Sequence, residues 1–387
     1  MKTVDLVYFN AGGGHRAAAQ ALEQSMAGRP WRVRLVNLTE ILDPDRLFHK
    51  LTGVEPEDIY NRHLASGFTI GLPQQLKIVQ GMIKFCHPTL IQRMRVHWQK
   101  AAPDLVVSLI PNFNRALCES LMSARPGVPY VTVLTDMADH PPNFWVEPDL
   151  AHQHVVCGTA YAANQALVAG CAPERVHLAS GMILRPAFYE SPPMDRHAER
   201  CALGLDAGQP TGLVLFGGRG TQAMKQIAKQ LPDVPLILMC GHNAALAREL
   251  RGLPSRAPRV VLDFTPEVAR WMRLADFFIG KPGPGSISEA VHSGLPLVVM
   301  RSAKTMPQER WNTEWVKEHQ VGVVYDSYKT LPAAVEETIS RLPALRVNVQ
   351  RVRNRAVFEI PEILAQLMAE VDPPQRPQAA LPSSSLC

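Results

Sequence analysis

Short apolar runs rich in β-branched residues alternate with amphipathic stretches along the whole chain of 387 residues. In the first half, strands are predicted by such runs at 3–9, 32–38, 104–110, 129–135 and 154–157, and helices by stretches that include 15–27, 74–101 and 160–169. In the second half, the strand-like runs are 212–216, 235–240, 259–263, 276–280, 296–300 and 321–324, each followed by a helical stretch. Near-continuous apolar strands separated by helices form parallel sheets covered on both faces. The pattern therefore predicts the α/β class with two doubly wound, Rossmann-like domains.

The two predicted domains meet near 185–210, where proline, glycine and charge are mixed. We assign residues 1–190 to the first domain and 205–345 to the second. A C-terminal helix is predicted over 346–370, and the Pro- and Ser-rich tail 372–387 is predicted to be disordered because it has no apolar period. Ligands of such sheets bind beyond the carboxyl ends of the strands, so we expect the chemistry in a cleft between the domains.

The composition indicates a soluble globular protein, with 46% hydrophobic and 19% charged residues. No run reaches the ~18 apolar residues that span a bilayer, and no signal peptide is evident. Seven cysteines without a C-x-x-C pair indicate reduced thiols and argue against a zinc site. These features predict a cytoplasmic chain without a bound metal, and nothing in them indicates an oligomeric state.

The charge distribution adds one further feature. The segment 59–103 contains no Asp or Glu, and its basic residues are interleaved with apolar ones. Basic groups around apolar side chains suit an anionic membrane surface, whereas the alternative is a pair of ordinary amphipathic helices with a solvated basic face. The candidate acceptor-side and membrane-contacting residues are Lys77, Lys84, Arg93, Arg95 and Trp98. Nucleic acid is not expected as a partner, because no recognised binding motif accompanies the charge.

The first predicted strand runs into a glycine-rich loop. Gly12, Gly14 and Ala17 formally match a dinucleotide fingerprint, but the second strand ends without the acidic residue that would hold a ribose, which argues against NAD. His15 opens the following helix, where the helix N-terminus disfavours the imidazolium and favours a neutral, base-competent ring. The alternative is a capping or surface histidine.

A second candidate for acid–base chemistry follows the strand at 129–135. There the sequence TVLTDMADHPP places Asp136, Asp139 and His140 over the same predicted cleft. Asp136 could orient His15 or act as the base itself. The alternative is an ordinary acidic residue in a turn.

The second domain carries two loops suited to phosphate. In FGGRG, the glycines at 217, 218 and 220 let backbone amides approach an anion and Arg219 adds charge, although a simple tight turn is the alternative. After the strand at 276–280, the turn 282–285 leads into a helix predicted to begin at Ser286. The amides of Gly285, Ser286 and Ile287 then point out of the helix end. Glu289, one turn later, is placed to bind two ribose hydroxyls, or is simply an acid favoured by the helix dipole.

In order, these motifs resemble the monogalactosyldiacylglycerol synthase and processive diacylglycerol glucosyltransferase family, which is more distantly similar to the peptidoglycan enzyme that makes lipid II. The matching stretches run from residue 10 to about 325 and are AGGGHRAAAQAL, VTVLTDMADHPPNFW, GMILRPAF, FGGRG, MCGHN, DFTPEVARWMRLADFFIGKPGPGSISEAVHSGLPLVV and PQERWN. The resemblance implies the GT-B fold, in which two Rossmann-like domains face each other across a cleft. It also implies a UDP-sugar on the C-terminal domain, inversion at the anomeric carbon and no metal in the active site.

Roles for individual residues follow from the resemblance. It implies that Phe264 and Thr265 meet the uracil, that Glu289 binds the ribose, and that the two loops hold the diphosphate. His15 is the base or its positioning partner, with Asp136 beside it. The full donor-binding set is Gly14, Gly217, Gly218, Arg219, Gly220, Phe264, Thr265, Lys281, Gly283, Pro284, Gly285, Ser286, Glu289, Gln308, Glu309 and Asn312. The chain departs from the family at Arg219, where the family has an acid, and at Pro282, where it has alanine.

The predicted function is that of an inverting, metal-independent glycosyltransferase. It is expected to move a hexose from a UDP-sugar to a diacylglycerol-like lipid on the inner face of the cytoplasmic membrane, with no cofactor beyond its donor substrate. The alternatives are a UDP-sugar 2-epimerase of the same fold and a non-catalytic module that binds nucleotide sugar or membrane.

Overall fold

A computed structural model describes residues 1–10, 14–43, 72–190, 192–206, 208–218, 220–302 and 305–371. In the first domain, six described strands form one parallel sheet in the order β2-β1-β3-β4-β5-β6. They are β1 (Lys2–Tyr8), β2 (Trp31–Asn37), β3 (Leu105–Ser108), β4 (Tyr130–Val133), β5 (Gln153–Cys157) and β6 (Val176–Leu178). The described helices around them are α1 (Gly14–Ser25), α2 (Leu38–Leu42), α3 (Leu72–Phe85), α4 (His87–Ala101), α5 (Asn114–Ala124) and α6 (Ala160–Val168).

The second domain repeats the plan. Its strands form a six-stranded parallel sheet in the order β12-β11-β10-β7-β8-β9. They are β7 (Gly212–Leu215), β8 (Leu236–Met239), β9 (Arg259–Leu262), β10 (Phe277–Gly280), β11 (Leu297–Met300) and β12 (Gly322–Tyr325). The helices from the linker onward are α7 (Arg196–Ala202), α8 (Ala223–Gln230), α9 (Ala244–Arg251), α10 (Val268–Leu274), α11 (Pro284–His292), α12 (Pro307–Glu318), α13 (Leu331–Ser340), α14 (Leu342–Arg351) and α15 (Ala356–Val371).

The fold class predicted from the apolar pattern is confirmed, and each predicted strand overlaps an observed one. β6, a three-residue edge strand, was not predicted because it is too short to show a pattern. The single helix predicted over 74–101 is two helices, α3 and α4, which meet at Cys86. Pro88 in the first turn of α4 explains the break, since its ring would clash with the backbone of a continuous helix.

The helix predicted over 346–370 is also wrong as one element. It is divided between α14 and α15, and the Asn354 side chain occupies the break, where Nδ2 donates to the Met182 carbonyl (2.9 Å) and Oδ1 accepts from the Ala356 amide (3.1 Å). From there α15 crosses back to the first domain, and its apolar side chains join the core formed by β1 and α1. The tail 372–387 lies outside the described residues.

A buried carboxylate joins the linker helix α7 and the later helix α14 to the sheet of the second domain. Asp276, at the start of β10, accepts hydrogen bonds from Arg196 (2.8 Å) and Arg200 (2.8 Å) of α7 and from Arg346 (2.6 Å) of α14. The amide of Thr211 also donates to it, at 2.9 Å. Burial alone would raise the pKa of Asp276, but these hydrogen bonds outweigh burial and hold the pKa below its usual value.

Strand order identifies where ligands bind. In each open parallel sheet, the crevice lies where the chain reverses its direction of progress across the sheet. In the first sheet, that point lies between β1 and β3, and the β1–α1 connection leads to His15. In the second sheet, it lies between β7 and β10, which precede the two predicted phosphate loops. The topology therefore places both glycine-rich regions of the second domain at its ligand crevice.

Candidate active site between the two domains

His15 is the second residue of α1 and is largely buried. Its Nδ1 atom is inaccessible and has no hydrogen-bond partner among the described residues. Burial lowers the pKa of His15 to about 4, so its imidazole is neutral at physiological pH. Burial thus lowers the pKa of His15 in the direction that the helix N-terminus predicts. One nitrogen of a neutral imidazole carries the proton and the other can accept a hydrogen bond, so the ring has the chemistry that a base requires.

Asp136 follows β4, and Trp145 connects it to the surroundings of His15. The indole Nε1 of Trp145 donates to Oδ2 of Asp136 at 2.8 Å, and the Trp145 ring meets the His15 ring edge-on at a centroid distance of 6.2 Å. Burial raises the pKa of Asp136 to about 6, against the opposing effect of the Trp145 hydrogen bond. The charge of Glu309 raises the pKa further and that of Lys281 lowers it. Asp136 therefore interacts with charges of the opposite domain.

His140 is a second buried imidazole in the same loop. Its Nε2 atom has no hydrogen-bond partner among the described residues, and burial lowers its pKa to about 4. The neighbouring Asp139 has a positive φ of 54°, and its amide donates to the Gln165 side chain at 3.0 Å. Two neutral histidines therefore lie in the first domain's part of the site.

The first predicted phosphate loop depends on glycine backbone conformations. Gly217 and Gly220 have φ values of 70° and 53°, which side-chain-bearing residues rarely adopt. A Cβ atom on Gly220 would lie 2.9 Å from the Cys240 carbonyl oxygen. Gly218 accepts a hydrogen bond from the His242 amide at 2.9 Å, which joins this loop to the next one. Arg219 lies outside the described residues.

The second predicted phosphate site is the start of α11. The helix begins at Pro284 with Gly283 as its N-cap, two residues before the predicted start at Ser286. Ile287 donates its amide to Gly283 at 3.0 Å, so the prediction that this amide points outward is wrong. The amides of Gly285 and Ser286 remain as first-turn donors, which a helix cannot use internally. A Cβ on Gly285 would meet no atom within 4 Å, so there is open space beside this first turn.

Glu289 lies one turn further along α11. Its Oε1 atom lies 3.8 Å from Nη2 of Arg185, which comes from the linker between the domains. Burial raises the pKa of Glu289 to about 7, and the Arg185 charge acts in the opposite direction. Arg185 also donates to the Pro266 carbonyl at 3.3 Å. The linker therefore reaches the predicted ribose-binding carboxylate.

The N-terminal half of α12 completes the predicted donor site. Lys281 Nζ donates to Oε1 of the buried Glu309 at 2.6 Å. Asn312 is fully buried and donates from Nδ2 to the Pro282 carbonyl at 2.8 Å, whereas its Oδ1 atom has no hydrogen-bond partner among the described residues. Gln308 is half-buried on the same helix turn. The free Asn312 oxygen can accept a hydrogen bond from a ligand hydroxyl.

Phe264 and Thr265 follow β9. The Phe264 ring is 56% exposed and stacks on His242 with centroids 3.9 Å apart and planes 16° apart. Thr265 is half-buried, and its hydroxyl accepts from the Glu267 amide at 3.1 Å. A cavity of about 570 Å³ lies beside this stack, between the loop at 220–222 and the start of α9. The stack offers a flat aromatic surface at the position predicted for the nucleobase.

Sequence reasoning assigned no role to Trp145, Arg185 or His242. All three lie in the matching stretches, in NFW, LRPAF and MCGHN, but their contacts join distant parts of the chain. The only signal available in the sequence was membership of those stretches. Their partners are visible only in three dimensions.

The predicted membrane-contacting residues behave differently from one another. Lys77 and Lys84 are exposed on α3, and the same helix exposes Ile78 (63%), Met82 (63%) and Phe85 (88%). On α4, Arg93 is exposed and donates to the Leu42 carbonyl, and Arg95 is half-buried.

Trp98 was wrongly predicted as a membrane contact. It is a fully buried core residue whose Nε1 donates to Ser120 at 2.9 Å. The other face of α4 carries the charged residues. None of the helices that the structure describes is both long and apolar enough to cross a bilayer.

Residues 214–367 match the glycosyltransferase family 28 C-terminal domain. Over 355 residues the chain is 25% identical to the probable chloroplastic monogalactosyldiacylglycerol synthase 2 of Oryza sativa subsp. japonica, covering 83% of this chain and 70% of that relative. MurG of Acinetobacter baumannii has a similar structure, with a TM-score of 0.62 at 14% identity over 95% of this chain and 100% of that one. Alr3699/HepE of Anabaena, solved in complex with UDP-glucose, has a TM-score of 0.51 at 17% identity over 95% and 100%.

The likeness to these solved structures confirms the predicted GT-B architecture. The family match covers the domain that contains both predicted phosphate loops, and the synthase match extends across the first domain as well. Residues 214–367 thus match the glycosyltransferase family 28 C-terminal domain, and the chain is a glycosyltransferase similar to the monogalactosyldiacylglycerol synthases over most of its length.

Proposed function

We propose that this enzyme transfers a hexose from a UDP-sugar to a hydroxyl of a diacylglycerol-like lipid, with inversion and without a metal. The observation that carries the proposal is the meeting of two sets of groups in the cleft. Asp136, linked through Trp145 to His15, responds to the charges of Lys281 and Glu309, which belong to the predicted donor site. A base and a donor-binding site facing each other are what direct transfer to an acceptor requires.

In the proposed reaction, the candidate bases of the first domain activate the acceptor and the donor site of the second domain stabilises the leaving group. His15 or Asp136 takes the proton of the acceptor hydroxyl, and the oxygen attacks the anomeric carbon from the face opposite UDP. The bond between that carbon and the diphosphate oxygen breaks, and its electron pair leaves with UDP. The amides of Gly285 and Ser286, at the positive end of α11, stabilise the developing charge. No metal step is part of this scheme.

Recognition of the donor is assigned to the second domain. The exposed face of Phe264 would stack on uracil, Glu289 would accept hydrogen bonds from the ribose, and Asn312 Oδ1 would accept one from the hexose. The solved UDP-glucose complex of a protein with the same fold supports a UDP-sugar as donor.

Two observations support a lipid as the acceptor: the chain is similar to a monogalactosyldiacylglycerol synthase, and helix α3 exposes apolar side chains. Leu76, Gln80 and Ile83 lie on the inner face of this helix, and Gln80 donates to the carbonyls of Pro142 (3.1 Å) and Asn143 (3.3 Å). Those residues precede Trp145 in the same loop. The exposed apolar face of α3 with its lysines therefore lies on an element that touches the proposed acceptor site. We propose that this face rests on the anionic inner surface of the cytoplasmic membrane.

The test is incubation of the purified protein with a panel of UDP-sugars and extracted lipids, followed by mass spectrometry of the lipids and measurement of released UDP. We expect a hexosylated diacylglycerol and an equal amount of UDP, both lost in His15→Ala. Conversion of the sugar nucleotide without an acceptor would identify a 2-epimerase instead. Binding of UDP without turnover on any lipid would identify a non-catalytic module.

A further inference from the structure

We propose that Trp145 is a positioning residue that holds Asp136 and His15 in one rigid acid–base unit. This inference rests on the proposed function, since it assigns a role within the same site. Trp145 is fully buried and contacts both groups. It would act through them without touching the substrate.

The contacts of the indole differ in kind. Its Nε1–H donates to Asp136 Oδ2 at 2.8 Å, which fixes the orientation of the carboxylate, and the other oxygen has no hydrogen-bond partner among the described residues. Its ring lies edge-on to the His15 ring, with an interplanar angle of 80° and a centroid distance of 6.2 Å. One side chain thus hydrogen-bonds the carboxylate while its ring packs edge-on against the imidazole.

The backbone of Trp145 is itself fixed by two buried amide side chains. Asn114 Nδ2 and Gln153 Nε2 both donate to the Trp145 carbonyl, each at 3.0 Å. Gln153 Nε2 also donates to Thr132 on β4 at 2.8 Å, and Asn114 Oδ1 accepts from Tyr130 of the same strand at 2.7 Å. These four polar side chains are all buried, three of them on strands of the first sheet and Asn114 at the start of α5.

The location of Trp145 explains why such a network is present. The residue lies in the connection between β4 and β5, which has no regular secondary structure around it. A backbone segment without a ladder of hydrogen bonds holds a side chain in place only if other groups fix it. The amide network supplies this support from α5 and β5 and is itself hydrogen-bonded to β4, the strand that leads to Asp136. Trp145 and Asp136 are therefore both held in position with respect to β4.

The interactions of Asp136 allow us to predict how loss of the indole N–H would change its pKa. Trp145 and Lys281 favour the charged carboxylate, whereas burial and Glu309 oppose it. Removing a hydrogen bond to a buried charge should raise the pKa of Asp136 by roughly 1–2, from its value of about 6. If Asp136 accepts the proton, the acid limb of the pH dependence of kcat/KM should move upward by the same amount.

The test compares Trp145→Phe with Trp98→Phe. Trp98 is a matched control, because it is also a fully buried tryptophan of the first domain whose Nε1 donates one hydrogen bond, to Ser120. A second protein with benzothienylalanine at 145, in which sulfur replaces the N–H at nearly constant shape, removes the donor without a packing defect. The pKa of Asp136 is read by 13C-carboxyl NMR titration of aspartate-labelled protein, with Asp136→Asn used for assignment.

We expect the Asp136 titration to shift upward in both proteins altered at 145 and to stay unchanged in Trp98→Phe. We also expect kcat to fall roughly ten- to a hundredfold, while the Kd for UDP stays within about twofold, because Trp145 lies in the first domain. An unshifted titration in the benzothienylalanine protein, or an equal shift in Trp98→Phe, would overturn the proposal. The titration needs no substrate, so it decides the role of Trp145 even if the proposed reaction fails.

Discussion

Replacing Ile78, Met82 and Phe85 together with serine should remove most of the protein's affinity for membranes. These side chains are 63%, 63% and 88% exposed on α3. Complete burial of such side chains contributes about 1.5–3 kcal/mol each. Scaled by the exposed fractions, insertion of all three would contribute roughly 4 kcal/mol, which corresponds to about a thousandfold in the partition coefficient.

The lysines on this face add an electrostatic part. Lys77 and Lys84 are exposed, and each should contribute ~1 kcal/mol near an anionic surface. Changing both to glutamine should therefore weaken binding by roughly thirtyfold on anionic vesicles and have little effect on neutral ones. Added salt should reduce the difference, because it screens exposed charges.

The assay is flotation with vesicles of phosphatidylcholine alone or mixed with phosphatidylglycerol. Val168→Ser is a matched control, because Val168 is 81% exposed on α6 and lies outside this face. The thermal unfolding midpoints of all variants should remain close to that of the wild type, since only exposed side chains change. If the serine variant floats as well as Val168→Ser, the assignment of α3 to the membrane is wrong.

Three further predictions concern the cleft and the linker. Glu289→Ala should weaken UDP binding as measured by calorimetry. The UDP affinity of the wild type should fall as pH drops through about 7, because the Glu289 carboxylate that accepts the ribose hydrogen bonds becomes protonated there. A UDP affinity that does not change from pH 6 to 8 would contradict this. His15→Ala should lose lipid glycosylation while its Kd for UDP stays within about twofold, because His15 lies in the first domain and the predicted donor site in the second. A parallel loss of UDP binding would argue against a role for His15 as the base. Asp276→Asn should lower the free energy of unfolding in urea by ~3 kcal/mol, since it removes the charge that pairs with three arginines. Because the folded-state pKa of Asp276 lies below its usual value, this stabilisation is present above about pH 4 and lost as pH falls further, so wild type and variant should converge in acid.

The apolar pattern determined the two sheets, because buried parallel strands need continuous apolar runs and the helices between them need a 3.6-residue period. Loops at the carboxyl ends of β7 and β10 could also be placed, since ligand crevices follow from strand order. The same local reasoning failed at Trp98, where the burial of one helix face depends on its packing against α5. It also failed at 346–370, where the helix breaks to reach the other domain.

The sequence by itself therefore determined the fold class and the residue types that line the cleft, because both depend on periodicity and on short motifs. Only the tertiary structure decided which of those residues interact. Trp145 meets Asp136 and His15, Arg185 reaches Glu289, and the pKa of Asp136 depends on charges in the other domain. Apart from the nearby pair Trp145 and Asp136, these contacts join residues about a hundred or more positions apart. Periodicity reports how each segment buries its own face, and it carries no information about which distant segment packs against that face.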